Sequence, residues 1–597
     1  MHGTEDMSRH TGPPPSGARR RRRLRVVLAV VGLLLLAWVV AVAVSGVQAG
    51  RALQRVAASS DVLAQDLRAE RFGEAVPLAR QVSEDSVTAA RATNQWPYRA
   101  AEHVPWVGTQ LRAVGGVSEA AALLAEPLPG ALGVAESVLG RGLVSADRTV
   151  DLAGVQALEP VVADYARRLP QAQRALDSAE APGVLAPIAE RVAPVAATLD
   201  TAAPPLATAA QVAPRLPAML GAGGARTYLV AFTNPAEIRP VQGMFGAYAY
   251  LTVTDGHIEL TRTGSDEDLY DARADPGVLG DEFVGTYGAA QADLVQNVTV
   301  SGNADDAGRL AADLMVDAGL PRPDAVVLVD PVGLADMLGP DHPPLDLGPF
   351  GQVPTADLAT TLLYEAYVRF EGDQPARKAF LTATSAAAFE AILSDGLSST
   401  VLRGMGEAVR SGHLAVWSAV PGEQSALVAA GVGGLLGDPA AQPGVVKVGL
   451  TNAVPSKLDY WMQPAFVVEP SCSTAAAAEA TSILQLTLTN PVPEEIPQYM
   501  RNQRESSALG SRTGQDIVSL WVPPWVGLQQ AVVDGSPVAT AVDDERGWRL
   551  IRLTVQVPPD RPVVVRWTLT GRADALPRTV EGPSTVTPPT VTTVGCP

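Results

Sequence analysis

The feature that most constrains this chain is an uncharged apolar run from Val26 to Gly46, VVLAVVGLLLLAWVVAVAVSG. An α-helix of this length would measure about 31 Å, which is enough to cross the hydrocarbon core of a bilayer. Arg19 to Arg23 and Arg25 precede the run directly, so the positive-inside rule places the N-terminus in the cytoplasm. The sequence therefore predicts a single-pass protein of the cell membrane, with the lipid bilayer as the partner of residues 26–46 and most of the chain extracytoplasmic.

A cleaved signal peptide is the alternative interpretation of this run. Val47-Gln48-Ala49 would serve as a weak cleavage site, but the apolar run is longer than the roughly 7–15 residues usual in a signal peptide. We therefore favour an uncleaved anchor. The preceding residues 1–25 are basic and have few apolar side chains, so we predict a disordered cytoplasmic tail.

Charge is distributed unevenly along the chain, whose formal net charge is -18. The tail carries seven Arg against Glu5 and Asp6, which gives about +5 and leaves about -23 for the remainder. An acidic body does not suit nucleic acid, because phosphate binding needs a basic surface, so we predict no nucleic-acid partner. Such a surface can attract divalent cations.

The chain contains two cysteines, Cys472 and Cys596, which bracket its last segment. Outside the cytoplasm they can form a disulfide. That bond would close a loop of about 125 residues and stabilise the fold by about 4–5 kcal/mol, because it removes entropy from the unfolded chain. Two unrelated free thiols are the alternative, but the positions of the cysteines favour the disulfide.

Hydrophobic periodicity divides the extracytoplasmic part into three regions. Residues 47–220 carry Ala-rich amphipathic stretches and are predicted to form a helical stalk or bundle. Residues 221–465 alternate strands with helices, which predicts an α/β domain. Residues 466–597 contain strand-like runs separated by Pro, Gly and Asp, which favours a β-sandwich. The predicted fold class is multidomain α+β behind one transmembrane helix.

Several elements are predicted individually. TYLVAF (Thr227–Phe232) and AVVLVD (Ala325–Asp330) are typical of buried strands, and Asp255-Gly256 is a strong signal for the turn of a β-hairpin. The same patterns predict helices at 303–318, 355–369, 376–394 and 398–410, and strands at 413–419, 445–451 and 457–462.

Common catalytic signatures are missing from the sequence. It has no P-loop, zinc-protease helix, nucleophile elbow or dinucleotide-binding fingerprint. The six His are scattered along the chain, so we predict no metal cluster and no His-based catalytic dyad. The sequence leaves open whether the protein is an enzyme.

Three polar features remain candidates for a functional site. The first is Asn234–Pro240, which follows the strand TYLVAF and so lies where α/β sheets commonly place ligands. Asn234, Glu237 and Arg239 are its candidate anion- or ligand-binding residues, because the fork of an Arg can grip a phosphate. An internal contact that rigidifies a loop is the alternative.

The second feature is acidic. Asp266, Glu267 and Asp268, together with Asp330 at the end of a buried strand, are candidate cation-binding residues, since hard cations take several carboxylate oxygens. A solvated acidic loop is the alternative.

The third feature is a helix start that follows Glu371-Gly372-Asp373. Arg377 and Lys378 lie in its first turn, where they oppose the helix dipole, and they are candidate ligands for an anion held at the same N-terminus. Ordinary surface charge is the alternative.

At these residues the chain resembles the family called domain of unknown function 4012, known from membrane-anchored bacterial envelope proteins, largely actinobacterial. The resemblance spans most of residues 26–597. It rests on FTNPAEIRP (Phe232–Pro240), Val329-Asp330-Pro331, Arg377-Lys378 and Lys457-Leu458-Asp459-Tyr460. Val241-Gln242 departs from the small hydroxyl residue and Gly usual at this place. The function of the family is not established.

A weaker resemblance is to the LytR-CpsA-Psr phosphotransferases, which attach glycopolymers from a polyprenyl pyrophosphate carrier to peptidoglycan. It is a resemblance in the order of elements, ending in a Gly-Asp-x-x-x-Arg helix start at Gly372-Asp373 and Arg377. It implies Mg²⁺ as a cofactor, with Arg239 and Arg377 neutralising the charge on the phosphoryl group.

Two functions therefore compete. The first is a non-catalytic scaffold or binding protein in surface-polysaccharide or cell-wall assembly, with a cell-wall glycopolymer or polyprenyl-linked glycan as partner. The alternative is a divalent-cation-dependent glycopolymer phosphotransferase, which requires Arg239, Arg377 and at least two of the acidic residues to converge on one pocket. A sensor is less favoured, because a tail of about 25 residues holds no effector domain.

Overall fold

The structure is a computed structural model that describes residues 17–69, 71–139, 143–145, 147–179, 181–396, 398–472, 479–503 and 509–596. It is a mixed α+β protein with one long apolar helix near its N-terminus, as the sequence predicts. The chain divides into two compact units. The first comprises Met1–Glu136 and Pro160–Ala207, and the second comprises Ser137–Glu159 and Thr208–Pro597.

The apolar run lies within helix α1 (Gly17–Arg68). Its portion Arg25–Leu67 is long and apolar enough to cross a membrane, with a mean hydropathy of 3.0 in its most apolar window. The tail predicted at 1–25 differs in part, because residues 17–25 are helical, whereas 1–16 lie outside the described residues. Arginine is a good helix former, so the helix extends from the apolar run into the basic segment.

Helices follow α1 through the first unit, in the region where the sequence predicts them. They are α2 (Phe72–Thr93), α3 (Trp96–Ala101), α4 (Val107–Ala125), α5 (Leu128–Leu139), α6 (Leu152–Leu176) and α7 (Ala186–Val212), of which the last three lie partly in the second unit. Small residues let these helices approach closely. A Cβ placed on Gly116 of α4 would lie 2.0 Å from the carbonyl oxygen of Ala175 in α6.

The second unit contains a five-stranded mixed sheet. The strands in this part of the chain are β1 (Arg226–Ile238), β2 (Gly243–Thr254), β3 (His257–Ser265), β4 (Ala325–Val329), β5 (Leu345–Asp346), β6 (Gln352–Val353) and β7 (Leu414–Ser418). The sheet order is β3-β2-β1-β4-β7, with β1 and β4 parallel and the other neighbours antiparallel. Asp255 and Gly256 join β2 to β3 with φ of 49° and 85°, which confirms the predicted hairpin turn.

Helices cover both faces of this sheet. They are α8 (Leu216–Met219), α9 (Gly280–Tyr287), α10 (Ala304–Asp317), α11 (Pro331–Leu338), α12 (Leu358–Thr360), α13 (Ala366–Arg369), α14 (Gln374–Asp395), α15 (Ser399–Arg410) and α16 (Pro421–Ala429). Successive strand residues point to opposite faces. Leu229 therefore packs with Leu310 of α10, and Val230 lies in a separate core with Phe380 of α14.

The remaining strands form a β-sandwich. They are β8 (Val445–Asn452), β9 (Gln463–Glu469), β10 (Glu479–Thr489), β11 (Gly514–Val522), β12 (Gly527–Val533), β13 (Ser536–Pro537), β14 (Ala541–Glu545), β15 (Trp548–Val557), β16 (Val563–Arg572), β17 (Thr579–Glu581) and β18 (Thr590–Thr593). One sheet has the order β13-β12-β16-β10-β9-β18 and the other β14-β15-β11-β8-β17. Their inner faces enclose an apolar core that includes Phe466, Leu484 and Trp567.

The strand predicted at 445–451 is confirmed as β8, and it pairs with β11 in the sandwich, so the predicted boundary at 465 falls after this strand. One local prediction in this region is wrong. The segment 457–462, predicted as a strand, forms a 3₁₀ turn at Leu458–Trp461. Tertiary contacts override the local preference here, because the Asp459 carboxylate accepts a hydrogen bond of 3.0 Å from the backbone N–H of Ile238.

The predicted disulfide between Cys472 and Cys596 is confirmed, with the two Cα atoms 5.4 Å apart. Cys472 follows β9, and Cys596 follows β18, which lies beside β9 in a parallel pair. The bond therefore fixes the C-terminal strand to the edge of the sandwich.

Candidate functional site

The segment Asn234–Pro240 is the starting point of the site. It was predicted as a loop, but β1 continues through it to Ile238, with a bulge. Asn234 pairs with Met244 and Ile238 with Gly243, so three residues bulge from the strand. A Cβ on Gly243 would lie 2.2 Å from the carbonyl oxygen of Asn234, so only glycine fits opposite the bulge.

The two charged side chains at the end of β1 have different bonding partners. Glu237 lies in the bulge before Ile238, and Arg239 directly follows Ile238. Glu237 Oε1 lies 2.6 Å from the Nζ atom of Lys457. Arg239 donates from Nη1 to the carbonyl oxygen of Ile238 at 2.9 Å and from Nη2 to Asn297 Oδ1 at 3.1 Å. The two predicted ligand residues thus belong to different surroundings.

On the Glu237 side, two cations meet two stacked tyrosines. We call Arg377, Lys457, Tyr367, Tyr499 and Glu237 the cation–tyrosine cluster. The ring centroids of Tyr367 and Tyr499 are 5.7 Å apart with an interplanar angle of 19°. Arg377 Cζ lies 4.1 Å from the Tyr499 centroid, and Lys457 Nζ lies 5.1 Å from the Tyr367 centroid. Both contacts are within the range of favourable cation–π interactions.

Lys457 is buried but stays charged. Burial lowers the pKa of Lys457, whereas the negative charge of Glu237 and the two tyrosine rings raise it, and the net shift is upward. The cluster therefore holds a permanent positive charge that Glu237 balances.

Arg377 lacks such a partner. Arg377 as a whole is 4% exposed, yet its guanidinium has no hydrogen-bond acceptor and no carboxylate partner among the described residues. A guanidinium carries five N–H donors, and buried polar groups are normally hydrogen-bonded. The tyrosines cover the faces of Arg377, which leaves its N–H edge free for an anion.

The start of α14 explains how Arg377 reaches this position. Gly372 has a φ of 80°, and the Asp373 side chain caps the helix by accepting from the Ala376 N–H at 3.1 Å. Pro375 follows in the first turn, where its missing N–H costs nothing. Arg377 and Lys378 then lie at the positive end of the helix dipole, an arrangement that a bound anion would stabilise.

Predicted acidic residues border the cluster. Glu267 forms an ion pair with Lys378. Asp266 accepts a hydrogen bond of 3.0 Å from the Tyr270 hydroxyl, and its carboxylate interacts electrostatically with Lys378 and Lys457. Burial is the main reason that the pKa of Asp266 is raised. Asp266, Glu267, Arg377 and Lys378 are therefore brought together, although they come from different predicted features.

Two other predicted residues have separate structural contacts. Asp268 accepts from the Ser265 N–H and from the Tyr248 hydroxyl, each at 3.1 Å. Asp330 caps α11, and its Oδ2 lies 2.5 Å from His413 Nδ1. Within the described residues, no group of three or more His, Cys, Asp or Glu side chains is arranged to hold a metal ion.

Arg239 lies in a second cluster, beside two buried carboxyl groups. Asp459 and Asp516 are fully buried, and their carboxyl groups contact each other beside Arg239. Burial raises the pKa of Asp459 to about 7, and burial together with the charge of Asp459 raises the pKa of Asp516 well above its usual range. Neither Asp516 oxygen meets a donor among the described residues, and a proton held between the two carboxyl groups would supply the missing hydrogen bond.

Sequence reasoning did not identify Tyr367, Tyr499 and Asp516 as functional residues. One usable signal was the scarcity of lysine, since Lys378 and Lys457 are two of only three lysines in the chain. A second signal appears only in the structure, where a π-helical turn at Thr361–Glu365 precedes Tyr367. Turns of this kind recur at functional sites.

Comparison with known families covers part of this site. Residues 223–367 match the family described as Protein of unknown function (DUF4012). This match supports the resemblance inferred from the sequence over that segment. The matched segment contains Glu237, Asp266 and Tyr367, whereas Arg377 and Lys457 lie outside it. No curated protein and no solved structure matches the chain.

Proposed function

We propose that this protein is a membrane-anchored, extracytoplasmic binding protein of the cell envelope, which holds an anionic group of a surface or cell-wall glycopolymer at the cation–tyrosine cluster. The observation that carries the proposal is Arg377, a residue that is 4% exposed and whose guanidinium stacks on Tyr499 but meets no acceptor among the described residues. Phosphate and carboxylate groups match the guanidinium fork in bidentate geometry.

The surroundings of Arg377 suit a glycan that carries such a group. Lys378 lies next to Arg377 in the chain and adds a second cation at the rim. Tyr499 and Tyr270 are exposed beside the cluster and offer aromatic surface on which a sugar ring can stack. An anionic glycan would therefore meet both charge and a flat apolar surface.

A binding role accounts for these contacts better than the phosphotransferase role does. The phosphotransferase needs Arg239 and Arg377 to converge with at least two carboxylates. Arg239 instead bonds to backbone carbonyls and to Asn297. The carboxylates of Glu267 and Asp330 are engaged by Lys378 and His413. The geometry thus favours a scaffold or binding protein.

The proposed location rests on two features. Helix α1 carries the apolar run directly after a cluster of arginines, which suits a type II anchor with the N-terminus in the cytoplasm. The Cys472–Cys596 disulfide suits an oxidising compartment outside the cytoplasm.

The test compares ligand capture by two arginine variants. The full chain would be purified from membranes and examined by mass spectrometry for co-purifying phosphorylated glycan or polyprenyl-phosphate lipid. Arg377→Gln removes the proposed anion contact, and Arg403→Gln removes an exposed arginine of α15 as a control. We expect the Arg377 variant to bind the captured glycan about 10–100-fold more weakly, as expected for loss of a charged hydrogen bond. Equal capture by both variants would refute the proposal.

A further inference from the structure

A short aromatic segment of the first unit packs against the apolar run of α1. Residues 94–107, which we call the aromatic tip, connect α2 to α4 and include α3. Trp38 Nε1 of α1 donates a hydrogen bond of 3.0 Å to the carbonyl oxygen of Pro97. Ser45 of α1 donates to Gln95 Oε1 at 3.3 Å. Both contacts lie inside the run 26–46.

These contacts fix the depth of the tip along α1. Trp38 precedes Gly46, the end of the apolar run, by about 12 Å of helix. The tip therefore lies beside the last two helical turns of the apolar run. Provided that α1 spans the membrane, as the proposed function assumes, the tip extends from the outer end of the apolar run, at Ser45, to about 12 Å inside it, at Trp38.

The tip carries two exposed indole rings. Trp96 is 75% exposed and Trp106 is 71% exposed, which are the highest values for any large apolar side chain among the described residues. Val104 and Val107 beside them are also exposed. Indoles are enriched at membrane interfaces, where an apolar body meets lipid and the N–H meets headgroups and water.

The backbone holds one of these rings outward. Trp106 has φ 65° and ψ -53°, and the Val107 N–H donates to the carbonyl oxygen of Pro105 at 2.8 Å, which is the geometry of a γ-turn. A bulky residue is rarely found in this left-handed region. Such strain persists where surrounding contacts enforce it, and it clusters at functional positions. Here Gly108 packs so close to Glu102 that a Cβ would lie 2.1 Å from its carbonyl oxygen.

We propose that the aromatic tip is a second membrane contact, which inserts Trp96 and Trp106 into the outer leaflet beside α1. The partner is the lipid surface itself, because the tip is continuous with the lipid-facing surface of the apolar helix.

The experiment measures contact between tryptophan and lipid. The full chain is reconstituted into phosphatidylcholine vesicles with brominated acyl chains, which quench the fluorescence of tryptophans in contact with them. The test variant is Trp96→Phe/Trp106→Phe. Trp38→Phe reports on the anchor, and Trp525→Phe controls for removal of an indole from the β-sandwich. Circular dichroism checks that each variant is folded, as expected for substitutions at exposed indoles.

We expect the fraction of the fluorescence that the brominated lipid quenches to fall in the double variant and in Trp38→Phe. If the double variant is quenched to the same extent as wild type while Trp38→Phe loses quenching, the anchor stands and the tip proposal is wrong. If Trp38→Phe also shows no loss, α1 is not in the bilayer and the anchoring proposal fails with it.

Discussion

Replacing Asp516 with Asn should remove a pH dependence of folding that arises where β1 meets the sandwich. Asp459 and Asp516 are buried together, and the charged side chains that face them are Arg239 and Glu237. With Arg239 positive and the carboxyl pair holding one proton, the charges balance. Deprotonating the pair places two negative charges side by side in a dry environment.

The direction and the size of this pH dependence follow from the difference in bound protons between the folded and the unfolded protein. The folded pair has raised pKa values, so between about pH 4, where an unfolded Asp titrates, and about 7, the folded protein holds more protons than the unfolded chain. Its stabilising contribution is therefore complete at low pH and is lost as the pH rises through this interval. Each extra proton changes the unfolding constant tenfold per pH unit, or about 2.7 kcal/mol between pH 5 and 7.

Asn at position 516 has the same shape and is always neutral. Its amide can donate to Asp459 Oδ1, which has no partner among the described residues. We expect similar stability of wild type and Asp516→Asn near pH 5, and an advantage for the variant that grows with pH. The assay is urea unfolding followed by tryptophan fluorescence, since Trp521, Trp548 and Trp567 are buried in the second unit.

Asp534→Asn is the matched control. The Val564 N–H and Arg561 lower the pKa of Asp534, so this group is charged throughout pH 5–8 and its loss should shift stability by the same amount at every pH. Parallel pH profiles for wild type and Asp516→Asn would refute the shared proton. A rise in stability on adding Ca²⁺, absent in the Asp516 variant, would show that a cation occupies the pair instead.

Three further predictions concern stability. Cys596→Ser removes the disulfide and should lower the free energy of unfolding by up to about 4–5 kcal/mol in urea unfolding. Reduced wild type should have the same free energy of unfolding as this variant. Gly116→Ala forces a methyl group against the Ala175 carbonyl and should cost about 1–3 kcal/mol in thermal unfolding of the first unit. Asp330→Asn keeps the cap of α11 but removes the charge that raises the pKa of His413 against the effect of burial. The His413 pKa, followed by NMR, should therefore fall, and the variant should be least stable relative to wild type below pH 6.

Local patterns predicted much of the backbone. The apolar run and the Asp255-Gly256 turn depend on residues with a strong local conformational preference. The disulfide was predictable because each of the two cysteines has only the other to pair with. Helix α14 was expected at 376–394 and is found at Gln374–Asp395, because Asp373 and Pro375 define its start by capping and by a fixed φ.

The rest depends on contacts between distant residues. The 3₁₀ turn at Leu458–Trp461 forms because Asp459 bonds to Ile238, 221 residues away in the chain. The proposed anion-binding role of Arg377 depends on its stacking against Tyr499, which lies in a segment predicted only as part of a β-sandwich. Alternation and turn signals describe a residue and its neighbours, so they cannot specify which distant side chain will cover it.

The length of β1 has a mechanical consequence. It begins at Arg226 between β2 and β4, and it ends at Ile238, which lies in the apolar core of the sandwich. A tensile load applied to the sandwich therefore passes along a continuous strand into the central sheet, where hydrogen bonds on both sides of β1 resist it in shear. A fragment limited to residues 223–367 would leave Ile238 without its apolar neighbours, so the matched segment is part of a larger folding unit.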